Sequence, residues 1–481
     1  MMLGPKGFSL SRIIGTAARA FHFPALSHMA QGGTGGNHRR SLDAATGGRR
    51  GGGLGTFGPI NSEVSAGLSL VGSRAAYQAV NNPYIANAVA NIVTFLVGTG
   101  PRPNVRGVER DARRQLHFAF DRFSEVADHA GRTDFGGLLA QIARDMVVYG
   151  EGLAVMHNTA DGLQIQVIPP DHLDPAKTAI LRDGRQIVQG VEFDASGRRV
   201  AYWIFPERPH SVFADHSPAV RVEAADVLHV FHPIAPGQVR GLSWVAPAVV
   251  TANELNQWKD ATLVGAKMSA MQAGFITDTS DIGGDEELFA EPTWEPGGLV
   301  RLPLGTDVKF SAPDQIKDAP ALLRMTLQEL AAALGVPEFL LSGDLTNANY
   351  SSLRAGLIPF RARIDQVQHN TLVPQVLRPV WRRWLALEIL AGRIDAPADT
   401  PSDWIMPRPQ QVDPAKDLEA TEKALALGLT SRTNAINELG WNADDIDEEI
   451  QADRTREAEL GLTFATPATQ PMNPKEGTDA A

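Results

Sequence analysis

The stretch APALLRMTLQELAAALGVPEFLLSGDLTNANYSSLRAGLIPFRARIDQVQ, residues Ala319–Gln368, decides how the chain is read. Leu323, Leu327, Leu330 and Leu334 recur at the spacing of one helical face, and Gly335 with Pro337 stops that helix. SGDLTNANYSSLRAG follows, rich in turn formers and nearly free of apolar residues. Leu353, Leu357, Phe360, Ile364 and Val367 then resume the helical period. The polar segment is therefore expected as a loop held between two packed helices and presented to something outside the chain.

Working back from this stretch, helix signals fail between Gly274 and Asp318. Ten acids (Asp278, Asp281, Asp285, Glu286, Glu287, Glu291, Glu295, Asp307, Asp314 and Asp318) stand there against Arg301, Lys309 and Lys317, an acidic excursion between two helices. The helix before it opens at Pro247, runs to about Gln272 and carries Leu255, Trp258 and Leu263. From Gly152 the period is two, with segments near 152–157, 163–168, 187–193, 199–205 and 227–231, expected as an antiparallel meander packed on the preceding helices in an α+β domain. Those helices carry Ile85, Val89, Ile92 and Leu96 after the start signal Asn82-Pro83, then Leu116, Phe120 and Phe123, then Leu138, Leu139, Ile142 and Met146, closed by Gly150. Folding is expected to begin near Ser73, with the Gly-rich residues 1–60 as a mobile arm.

Downstream, Pro374 and Pro379 are expected to kink or end the long helix ahead of Trp381 and Trp384. Asp413-Pro414 starts another helix that ends at Gly428, a pair of short acidic helices runs to about Gly461, and the last twenty or so residues read as disordered.

The 481 residues can bury a large core and contain no cysteine, which removes disulfides, thiolate metal sites and thiol nucleophiles together. The formal charge is −11, and because residues 1–60 hold seven basic side chains against Asp43 alone, the remainder carries −17. An acidic body does not grip nucleic acid tightly by neutralising phosphates. No apolar run reaches the length needed to span a bilayer, so no membrane partner is expected.

Chemical motifs are weak throughout. Gly53, Gly55 and Gly58 have dinucleotide-site spacing, but no strand precedes them and Pro59 follows. Asp171, His172, Asp174, His229 and His232 could be assembled into a metal site, yet two histidines three apart on a strand point to opposite faces. The acids at 278–287 fail calcium-loop spacing, with Ile282 at a ligand position and Phe289 where the bidentate Glu belongs. Signatures of P-loop, serine-hydrolase and zincin chemistry are absent, and Tyr350, Ser351 and Ser352 have no local histidine to activate them. No enzyme activity, metal or cofactor is expected.

Four motifs in order, YQAVNNPYIANAVANIVTFLVGTGPRP, GQVRGLSWVAPAVV, LGVPEFLLSGDLTNANYSSLRAG and LALGLTSRTNAINELGWNADDIDEEI, resemble the lambda-type family of bacteriophage portal proteins and cover about 74–462. The resemblance implies an α+β, portal-like subunit: a wing (61–246), a stem of two helices (247–273 and 315–337), a small β-containing clip (274–314), a tunnel loop (338–352), a long kinked wing helix (353–400) and a helical crown (401–462), with 463–481 as a tail. It implies a ring homo-oligomer, a dodecamer in the usual case, at one capsid vertex of a virion assembled in the host cytoplasm. Double-stranded DNA would enter and leave through that ring. The implied partners are the large terminase subunit, the major capsid and scaffolding proteins, and the head-completion proteins that connect the tail. Carried onto this sequence, Asn347, Asn349, Tyr350, Ser351, Ser352 and Arg354 face DNA, with Arg361 and Arg363 nearby, and Asp281, Asp285, Glu286, Glu287 and Glu291 face terminase and the connector. Two other readings stand beside it, a metal-dependent hydrolase using Asp171, His172 and His229, and a capsid adaptor or scaffolding protein without a channel.

Overall fold

A computed structural model describes residues 57–209, 217–270, 274–277, 299–302, 315–346, 349–407 and 413–462. It is a mixed helix-and-sheet protein. The first helix among the described residues, α1 (Ile60–Asn81), begins well before Ser73. The sequence hides it because its buried residues are mostly small or polar (Val64, Gly72, Ala75, Gln78 and Ala79), so it carries no strong apolar stripe. Next, α2 (Pro83–Val97) is set by the Asn82 side chain, which accepts from the Tyr84 and Ile85 N–H groups at 3.0 and 3.2 Å, with Pro83 in the first turn. Its face of Ile85, Val89, Ile92 and Leu96 is buried, as its spacing predicts.

After β1 (Arg102–Val105), α3 (Arg110–Val126) and α4 (Phe135–Val148) complete a helical layer. Phe120 lies at an aromatic centre, with Phe123, Phe135, Trp381, Trp384 and Trp404 all within 6.0 Å between ring centroids. These rings come from four separate stretches of chain, so one cluster ties them into a common core.

The period-two segments do not form one meander. β2 (Gly152–Thr159) pairs antiparallel with β3 (Gly162–Ile168) on one side and β9 (Val227–Val230) on the other. Between them the chain departs to build a second antiparallel sheet from β4 (Ala179–Ile180), β5 (Gln186–Val188), β6 (Val191–Phe193), β7 (Arg199–Ile204) and β8 (Val220–Glu223), in that order. The segment expected over 187–193 is thus two strands. Val188 faces Val191 across a two-residue turn in which Gln189 and Gly190 both have positive φ, 51° and 84°. Such a turn usually announces itself by Asn-Gly or Asp-Gly, and a Gln in the first place conceals it.

A buried ionic cluster joins the sheets. Glu151, just before β2, accepts from Arg240 Nε at 2.8 Å, from the Gly241 N–H at 2.9 Å and from His229 Nε2 at 2.9 Å. Arg240 also donates to the backbone carbonyls of Gln189, Leu173 and Pro170. Burial pushes the Glu151 pKa up, but Arg240 and the His229 hydrogen bond outweigh it and hold the carboxyl well below its usual range. Burial lowers the His229 pKa against the pull of Glu151, so the ring is a neutral donor.

Two long helices follow, α5 (Val249–Ala270) and α6 (Gln315–Leu334), and between them β10 (Gly274–Thr277) pairs parallel with β11 (Leu299–Leu302). The short α7 (Glu338–Ser342) leads to α8 (Tyr350–Val367). Pro374 does not end the helical run. A π-helical segment, Gln368–Leu377, contains it and passes straight into α9 (Arg378–Leu390), with Pro379 in the first turn. Side chains fix this segment: Gln375 exchanges two hydrogen bonds with the Phe231 backbone, and Gln368 donates to the Phe95 and Leu96 carbonyls.

β12 (Ser402–Ile405) returns to pair antiparallel with β1. Three helices end the described part of the chain, α10 (Pro414–Ala426), α11 (Arg432–Glu438) and α12 (Ala443–Leu460), the last of them long rather than short. The start of α12 docks on α3 through Arg113–Asp444 at 2.7 Å and Arg114–Glu448 at 3.3 Å. His117 completes the contact, accepting from the Val105 N–H at 3.3 Å while its Nδ1 lies 3.0 Å from the Asn442 side-chain amide. Burial, then Arg113, lowers the His117 pKa to about 4.

Candidate functional site

The polar segment is anchored at both ends by local chemistry. Gly335, at φ 67°, ends α6, where the Val336 N–H donates to the Ala331 carbonyl at 3.0 Å. Arg363 donates to the Leu334 carbonyl at 3.0 Å and lies 5.3 Å from the centre of the Trp244 ring, so this cation braces the helix end. Asn87 and Asn91 on α2 donate to the α7 carbonyls of Leu340 and Leu341 at 2.7–3.0 Å. Gly343, at φ 73°, stops α7.

The loop is shorter than its composition implies, because residues 338–342 are helical and α8 starts at Tyr350 rather than Leu353. Asn349 is the helix cap: its side chain accepts from the Ser352 N–H at 2.8 Å, and the Ser352 hydroxyl accepts from the Asn349 N–H at 3.0 Å. Tyr350 and Ser351 are exposed on the first turn. Asn347 lies outside the described residues, as do Asp281, Asp285, Glu286, Glu287 and Glu291, and also Gly53 and Gly55. The Gly58 N–H is donated to the Glu63 carboxylate at 2.9 Å.

Arg354 is brought to a partner that no local signal reveals. Its Nη2 donates to Asp417 Oδ1 at 2.9 Å and its Nη1 to the Tyr350 hydroxyl at 3.3 Å. Asp417 sits on the first turn of α10, where Asp413 caps the helix and accepts from the Lys416 N–H at 3.3 Å. The Lys416 ammonium lies 3.2 Å from Asp413 and 5.3 Å from the Tyr350 ring centre. Hydrogen bonds from the Lys416 backbone and side chain, and from Tyr350, hold the Asp413 carboxyl below its usual range. The N-terminal turns of α8 and α10 thus meet in a small exposed network of two cations, two carboxylates and a phenol.

The residues of the hydrolase reading do not converge. Asp171 pairs with Arg208 at 2.9 Å, the His172 ring bonds the Phe205 carbonyl, and His229 is buried on Glu151. Among the described residues, no group of three or more potential ligands is placed to hold a metal ion, and no helix is long and apolar enough to cross a membrane.

What the described residues assemble is a mixed helix-and-sheet fold that presents a capped polar loop between two helices. The family described as phage portal protein, lambda family, matches residues 51–368, and the chain belongs to that family. It is therefore a portal protein of a phage or phage-like particle, from a family of structural virion components. A curated relative, the "Probable portal protein" of Halomonas phage phiHAP-1, is 26% identical over 380 residues, spanning 73% of this chain and 72% of the relative. Among solved structures, a chain from the neck of an empty gene transfer agent (GTA) particle computed with C6 symmetry is 17% identical, with a TM-score of 0.41 and coverage of 81% of this chain and 95% of that one. A chain from the virion of a native GTA particle is 18% identical, with a TM-score of 0.38 and the same coverage.

Proposed function

We propose that copies of this chain form a ring at one capsid vertex, through which double-stranded DNA enters during packaging and leaves during ejection. The family match over residues 51–368 carries this reading. Two physical features support it. Val250, Leu263 and Val264 on α5 and Leu322 and Met325 on α6 are exposed in the single chain, and apolar side chains on two long helices suit burial between neighbouring copies. The charge of −17 beyond residue 60 suits a conduit along which a polyanion slides without being gripped.

In this reading α5 and α6 form a stem, residues 274–314 a clip that meets terminase and the connector through Asp281, Asp285, Glu286, Glu287 and Glu291, and residues 401–462 a crown. The segment of Asn347, Asn349, Tyr350, Ser351, Ser352 and Arg354 faces the channel. Electron microscopy of the purified protein is expected to show annular particles with a central hole. Monomers alone across a range of salt and protein concentration would sink the reading. In the same preparation, reversing the charges at Asp285, Glu286 and Glu287 is expected to abolish pull-down of the large terminase subunit, and undiminished capture would remove the clip assignment.

A further inference from the structure

The network at the start of α8 raises a question that the ring reading leaves open: how strongly its cations can hold a phosphate. Arg354 and Lys416 are the cations there, and each already has a carboxylate, Asp417 at 2.9 Å and Asp413 at 3.2 Å. The four formal charges cancel. Phosphate binding by a protein cation gains most of its free energy from releasing counterions condensed on DNA, and a cation already paired within its own chain must first give up that pair. Such an exchange is feasible here because the pair is in contact with solvent, the Arg354 and Asp417 side chains being 47% and 25% exposed.

We propose that Asp417, assisted by Asp413, sets how tightly this end of α8 holds DNA, by occupying Arg354 and Lys416 with carboxylates of the same chain. The inference rests on the proposal that this segment faces the channel. Asp417 and Asp413 are then positioning residues: they touch no DNA but decide whether the cations beside them are available to it. A conduit needs this balance, because a cation left free at every subunit of a ring would add its grip at every step of the passing duplex. Tyr350 holds the arrangement together, accepting from Arg354 on one side and lying against the Lys416 ammonium on the other.

A purely structural alternative is that the pair only pins α10 to α8. Asparagine separates the two. Asp417→Asn keeps an oxygen able to accept from Arg354, and Asp413→Asn keeps a good helix cap, while both remove charge. The assembled protein would be titrated with a short fluorescent duplex of unrelated sequence over a range of potassium chloride. With D413N/D417N, binding is expected to tighten, and the loss of affinity between about 50 and 200 mM salt to steepen by about 3-fold for each cation released. Arg354→Ala is expected to cost more affinity in the D417N background than in the native one, a coupling that a pin between helices would not produce. Equal affinity and equal salt dependence in the native protein and D413N/D417N would overturn the inference, as would an Arg354→Ala effect of the same size in both backgrounds. If those results come from annular particles, only this inference fails. If no ring forms, the channel reading fails and takes the inference with it.

Discussion

Arg240 and Glu151 meet with side chains 2% and 1% exposed, whereas Arg354 and Asp417 meet with side chains 47% and 25% exposed. The chemistry is the same guanidinium and carboxylate. What differs is what each group turns to if its partner leaves. Around Glu151 there is a backbone N–H, a neutral His229 and almost no water-accessible surface, and Arg240 is further committed to three carbonyls that belong to the β5–β6 turn and the segment after β3. Around Arg354 there is solvent, and water replaces a lost carboxylate at little cost. The buried pair therefore fixes how the two sheets sit on each other, and the exposed pair is free to exchange.

This contrast can be broken by measurement. The largest effect is expected at Glu151→Gln, which strands the Arg240 charge in the interior and should cost about 3–5 kcal/mol in urea unfolding. A loss below about 1 kcal/mol would mean that water reaches the cluster and that the two pairs are alike.

An intermediate effect is expected where α12 docks on α3. His117 has its pKa lowered to about 4 from the ordinary 6.5, so the folded state keeps the ring neutral while the unfolded chain takes up a proton first. The contribution is therefore complete above pH 6.5 and is lost as pH falls from there toward about 4. By pH 5 about 2 kcal/mol of it should be lost, and a His117→Gln variant should lack that part of the acid sensitivity. Identical pH profiles for the two proteins would show that Arg113–Asp444 and Arg114–Glu448 carry the docking instead. The smallest effect is expected at Asp417→Asn, which should leave the urea midpoint unmoved. A shift approaching that of Glu151→Gln would make the exposed pair structural and erase the distinction.

Much of the fold was legible in the sequence where a single local rule governs it. Asn82-Pro83 announces a capped helix, the spacing of Ile85, Val89, Ile92 and Leu96 gives its buried face, and Gly335 with Pro337 stops α6 where that pattern ends. Local rules misled where tertiary contacts outvoted them. Pro374 predicts a kink or a stop, but Gln368 and Gln375, hydrogen-bonded to α2 and to the end of β9, hold a π-helical segment around it. Elsewhere one local rule overrides another: the apolar period resumes at Leu353, but the Asn349–Ser352 cap begins α8 three residues earlier. That signal lay within NYSS itself, an asparagine followed three residues later by a hydroxyl that can reach back to it.

Legible without coordinates are the helices with strong apolar spacing, the acidic body, the absence of thiol chemistry and, through four ordered motifs, the portal family. Each of these rests on neighbours a few residues apart or on totals over the chain. It takes the folded chain to show that the period-two segments split into two sheets, that β12 returns to β1, that Glu151 finds Arg240 across 89 residues and that Arg354 finds Asp417 across 63. No helical or strand period encodes such pairs. Which carboxylate an arginine meets depends on where the packed core carries its backbone, and burial then decides whether the pair locks the fold or stays exchangeable.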